Sequence, residues 1–173
     1  MKLWTILCAL SLLASQAVVP SVSGKDRLTT AASWFERLKG LEGRWVAGED
    51  STYPGSIVET AVIASGNAVV EREFPGTEQE MLTVFYLDGD DLLLTHFCML
   101  GNQPHMRAAL SEDPQKILFQ FTGATGLDSP DEPHIHTGVI TFLGPDQLLT
   151  EWTIYENGEP SRTIRQEMTR KKS

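Results

Sequence analysis

From residue 43 onward, short runs rich in Val, Ile, Thr and aromatic residues alternate with Gly, Pro, Asp and Asn at a spacing of about 10–12 residues. This rhythm predicts ten strands, at residues 43–49, 56–64, 68–74, 80–87, 91–99, 103–111, 116–122, 134–143, 147–155 and 161–170. Gly66-Asn67, Asp88-Gly89-Asp90 and Asn157-Gly158 read as tight hairpin connections, and Gly144-Pro145-Asp146 as a longer turn. Ahead of the first strand the period changes. Trp34, Phe35, Leu38 and Leu41 recur at helical spacing, Ser33 with Glu36 forms a capping-box pattern, and Gly40 supplies a stop. A short helix over residues 33–39 is expected.

Ten hairpin-linked strands in an open sheet would expose long unpaired edges, and closure removes them. The expected fold is therefore all-β, an up-and-down antiparallel barrel with a short N-terminal helix. A barrel of about ten strands is wider than the eight-stranded kind that side chains just fill, so a cavity is expected inside it. The one long connection, residues 123–133, is placed to cover one mouth. The chain carries no internal repeats and no second-domain linker.

The first residues do not share this pattern. Met1-Lys2, an apolar run from Leu3 to Leu13 and the small residues beyond it make a secretory signal, with cleavage after Ala17 or after Gly24. An uncleaved anchor is the rival, although the run is shorter than the roughly 20 residues that span a bilayer. The expected organisation is a signal and cleavage region at 1–24, a linker at 25–32 and a single barrel domain at 33–173, secreted or periplasmic. Cys8 leaves with the signal, so Cys98 has no disulfide partner within the mature chain. Loss of Lys2 leaves 13 basic against 23 acidic residues, a net charge of −10. Such a surface repels phosphate backbones and anionic headgroups. Nucleic acid and stable membrane insertion are not expected.

The short helix followed by Gly43-Arg44-Trp45 resembles the Gly-x-Trp signature of lipocalins and the wider calycin barrels. The resemblance implies that Trp45 closes one barrel end under an arginine of the last strand, Arg162 or Arg165. Phe74-Pro75-Gly76, Asp88-Gly89, residues 94–98, Gly101-Asn102-Gln103-Pro104 and His134-Ile135-His136 together resemble a bacterial calycin-like family of unknown function, over about residues 34–170. It implies a lipocalin-like fold and no established activity.

Candidate chemistry is concentrated in residues 92–107, LLLTHFCMLGNQPHMR, and in His134-Ile135-His136. Alternation along a strand puts Leu94, His96 and Cys98 on one face, and His134, His136, Gly138, Ile140 and Phe142 on another. Both faces carry apolar neighbours and are expected to point into the barrel. Glu71, Glu73 and Glu151 are candidate carboxylate partners for these histidines. The expected function is binding of a small, largely apolar or amphipathic molecule at His96, Cys98, Asn102, Gln103, His134 and His136, the histidines orienting a polar group. One alternative is a metal- or histidine-dependent enzyme of hydrolase or isomerase type in the same pocket, with His96, His134 and His136 as zinc ligands, or a histidine as axial ligand to haem. The other is a filled barrel acting through outer contacts. Nucleophile-elbow, phosphate-loop and dinucleotide motifs are absent.

Overall fold

The computed structural model describes residues 30–109, 111 and 113–172. The signal, its cleavage sites, Cys8 and most of the linker lie outside the described residues. The described residues form one α-helix, α1 (Ala31–Lys39), a 3-10 turn at Ala64–Gly66 and ten strands. These are β1 (Gly43–Ala47), β2 (Ile57–Ile63), β3 (Ala68–Glu73), β4 (Met81–Asp88) and β5 (Asp91–Phe97), then β6 (Gln103–Ala109), β7 (Lys116–Thr125), β8 (His134–Gly144), β9 (Gln147–Glu156) and β10 (Glu159–Arg170). Each strand pairs antiparallel with its sequence neighbours, and β1 also pairs with β10, so the meander closes without an edge. The result is an up-and-down barrel compatible with a calycin-like fold.

All ten strands lie where their hydrophobic alternation puts them, with ends shifted by a few residues. The helix begins earlier than expected. Its cap is Thr30, not Ser33: the Thr30 side chain accepts from the Ser33 amide at 3.2 Å, and Ala31-Ala32 extend the helix back to it. Glu36 pairs with Lys39 at 2.7 Å instead of closing a capping box. Buried Trp34, Phe35 and Leu38 seat α1 in the core of the barrel end where it packs on β4 and β5.

At that end Trp45 is buried, and its indole Nε1 donates to the Leu41 carbonyl at 2.8 Å. The arginine above it is Arg170, not Arg162 or Arg165. Register decides this: Arg170 stands directly opposite Trp45 in the β1–β10 pair, and its guanidinium lies 4.3 Å from the ring centroid. The guanidinium also donates to the carbonyls of Gly40 at 2.8 Å and Glu42 at 2.6 Å, and to the Asp146 carboxylate at 3.0 Å. Gly43 makes room for it, since a Cβ there would stand 3.1 Å from Arg170 Nη1. With a backbone φ of +134° as well, the position suits glycine alone.

Residues 126–133 do not line the cavity. They are tied sideways: Asn102 Nδ2 donates to the Pro133 carbonyl at 2.9 Å, and the Asn157 amide to Asp131 at 2.8 Å.

Candidate functional site

The barrel end away from α1 is not filled. A partly open cavity of about 80 Å³ lies there, room for roughly five to eight waters or a small organic molecule in their place. Tyr53 in the β1–β2 connection and Phe74 in the β3–β4 connection mark its mouth, and Trp45 lies at its inner limit. Ile135, Leu148, Trp152, Ile164 and Met168 make the apolar wall. Trp152 spans the cavity side of β9 because Gly138, opposite it on β8, has no side chain. A Cβ at 138 would stand 2.0 Å from the indole. Gly138→Ala is therefore expected to displace Trp152, costing about 1–3 kcal/mol; urea unfolding and tryptophan emission report both effects.

The polar wall comes from one row of side chains. Hairpin register sets Thr60 of β2 opposite Glu71 of β3, Glu71 opposite Thr83 of β4, and Thr83 opposite His96 of β5. Glu73 lies on the same face as Glu71, one pleat along. The Thr83 hydroxyl donates to Glu73 Oε1 at 3.0 Å, and lies 2.8 Å from His96 Nδ1. The hydroxyl has a single proton and spends it on Glu73, so Nδ1 carries the proton in its contact with Thr83. That network leaves His96 Nε2 as a bare lone pair. His96 is only 3% exposed, and among the described residues its Nε2 finds no hydrogen-bond partner. Thr60 Oγ1 is likewise buried and unpartnered.

Burial sets the charge states here. Glu71 is pushed up to about 8, first by loss of solvation and then by the neighbouring Glu73. Burial lowers His96, with Glu73 opposing the shift from 4.0 Å. At neutral pH the cavity therefore presents a protonated carboxyl at Glu71 and, two strands away, a neutral imidazole at His96.

Of the six residues singled out for ligand binding, His96 lines the cavity, whereas Cys98, Asn102, Gln103, His134 and His136 do not. The reason for the last two is a β-bulge. The β8–β9 register steps from Ile135↔Ile154 to Thr137↔Thr153, leaving His136 as the extra residue. Strict alternation breaks there, and Ile135 takes the cavity position. His134 Nδ1 donates to the Glu132 carbonyl at 2.7 Å, and its Nε2 lies 3.0 Å from His136 Nδ1. Phe121 and Tyr155 stack on the His136 ring. This second cluster is separate from His96, so the three histidines named for zinc do not converge. Among the described residues, no group of three or more His, Cys, Asp or Glu side chains is arranged to hold a metal ion.

Cys98 sits at the end of the β5–β6 hairpin, and burial pushes its thiol up, away from the reactive thiolate. Asn102 serves the Pro133 contact, and Gln103 donates to Gly101 at 3.1 Å. Glu151 does not line the cavity, while Glu71 and Glu73 do. The chain matches no protein-family model and no curated protein sequence. No described helix is long and apolar enough to cross a membrane.

Proposed function

We propose that this chain is an exported member of the bacterial calycin-like barrels and binds a small, largely apolar molecule in its interior, with His96 orienting a polar group of the ligand. The observation that carries this reading is His96, a lining residue of a cavity with one apolar wall, whose Nε2 is buried and unpartnered. Buried polar atoms are nearly always satisfied, and a ligand donor supplies what the protein withholds. Trp152, Ile135, Leu148 and Ile164 supply the apolar contact. The reading uses no three-histidine zinc site, because His134 and His136 form a cluster apart from His96.

Benzyl alcohol and toluene differ by one hydroxyl and serve as probes. Both are expected to bind in the cavity and alter tryptophan emission. His96→Leu is expected to lower benzyl alcohol affinity about tenfold, the effect of one lost buried hydrogen bond, and to leave toluene binding unchanged. Equal effects on both probes, or binding of neither, would remove the assigned role of His96.

A second reading rests on Glu71 and His96 together. A carboxyl held protonated and an imidazole held unprotonated on the wall of one cavity make an acid–base pair suited to proton transfer next to a carbonyl. Its signature is protein-dependent entry of solvent deuterium at the α-carbon of cyclohexanone, lost in His96→Gln; no exchange above the rate in buffer refutes it.

A further inference from the structure

The cavity's polar wall is one-sided in its chemistry. Glu71 and Glu73 project from β3, the bare Nε2 of His96 from β5 and the unpartnered Thr60 hydroxyl from β2. Among the described residues, no Lys or Arg lines the cavity. At the rim Arg162 donates to the Tyr53 hydroxyl at 3.1 Å without entering the lining. Gln166, the one side-chain amide in the lining, has both ends engaged: its oxygen accepts from the Tyr53 amide at 3.0 Å and its amide donates to Ser56 at 2.9 Å. The remaining wall includes the rings of Tyr53, Phe74 and Trp152. Carboxylates, a lone pair and aromatic faces favour one kind of guest, a cation with several N–H donors.

We propose that the ligand is a small primary ammonium compound with an apolar or aromatic tail, its three N–H donors taken by Glu71, Glu73 and His96 Nε2 and its tail by the Trp152 wall. This deepens the ligand-binding reading above and depends on it. A buried ammonium is costly unless it is paired and every donor is satisfied. Three acceptors for three N–H groups meet that condition. Entry of the cation changes Glu71: the carboxyl proton leaves to solvent, and the carboxylate then faces the ammonium. Net charge in the cavity is thereby conserved as the ligand enters. An anionic guest would meet two carboxyl groups and no cation on the cavity wall, and is excluded.

Phenethylamine, 2-phenylethanol and phenylacetate share one skeleton and carry positive, zero and negative charge, which makes them direct probes of the full chain at pH 7. Phenethylamine is expected to bind at least tenfold more tightly than 2-phenylethanol, and phenylacetate not measurably. Phenethylamine binding is also expected to release a proton, seen as a binding enthalpy that varies with the ionisation heat of the buffer. Glu71→Gln is expected to weaken phenethylamine at least tenfold, more than it weakens 2-phenylethanol, and to abolish proton release. Glu73→Gln provides a second variant, with weakened phenethylamine binding expected and the proton release retained. If 2-phenylethanol binds as well as phenethylamine, or Glu71→Gln leaves the amine unaffected, the ammonium assignment falls while the ligand-binding reading stands. If none of the three binds, both fall.

Discussion

Trp45→Ala is expected to cost the barrel about 3–5 kcal/mol in urea unfolding, the range for deleting a fully buried large aromatic side chain. The indole is buried at the α1 end, fixed by its bond to Leu41 and covered by Arg170. Removing it leaves a void and exposes the guanidinium's apolar seat. Arg170→Ala is expected to cost about 2–3 kcal/mol, because charged bonds to the Gly40 and Glu42 carbonyls and to Asp146 are lost at once. Arg170→Lys is expected to recover little of that loss, since an ammonium cannot reproduce the planar fork lying on Trp45. Near-wild-type stability in Arg170→Ala would show that the end is held by α1 alone.

The second large effect is a dependence of stability on pH that Glu71 controls. Its ordinary value of 4.5 is raised to about 8 in the folded chain by burial and by Glu73. Below 4.5 the carboxyl is protonated whether the chain is folded or not, and the full stability is present. Between 4.5 and about 8 the unfolded chain ionises and the folded chain does not. Stability therefore falls as pH rises, by about tenfold in the folding constant for each pH unit. Above the folded value the loss is complete, roughly three to four orders of magnitude across the whole window. His96 acts in the opposite sense: burial lowers it, so it costs stability only as pH falls below its ordinary 6.5. The interval from 6.5 to 8 thus isolates the carboxyl. Wild type is expected to lose stability across it relative to Glu71→Gln, which keeps the shape and cannot ionise. Parallel curves for the two proteins would refute the assignment. The titratable groups that line the cavity with Glu71 are Glu73, His96 and Tyr53, and His96→Gln separates the contribution of the imidazole.

Strands and turns were legible in the residues because a half-buried strand must alternate and a tight turn must accept positive φ, as Gly89, Asn157 and Gly158 do. The polar row was legible in part. Asp88 pairs with Asp91 across the Gly89-Asp90 turn, and counting back along both strands brings Thr83 opposite His96. Glu71 and Glu73 carry the further signal of two carboxylates at alternate positions between apolar ones. The bulge at His136 was not legible, because an unpaired residue is a property of two strands together and leaves no mark in either alone. It moved two histidines away from the place alternation assigned them. Arg170 was passed over for the same reason: its partnership with Trp45 depends on the β1–β10 register, which only closure defines. Gln166 and Thr60 look like ordinary exposed strand residues until the barrel curls them inward.

The closing seam has a consequence for how the chain reaches its fold. Trp45 pairs with Arg170 across 125 positions of sequence, whereas every other strand pair joins neighbours. Such a pairing collects its loop-closure entropy in one late step. A nascent chain emerging from its amino end can lay down β1 to β9 hairpin by hairpin and still leave the outer edge of β1 unpaired. Until Arg170 arrives, the first strand is an open template for another chain. The last dozen residues of β10 are thus the part of the protein whose arrival separates folding from aggregation.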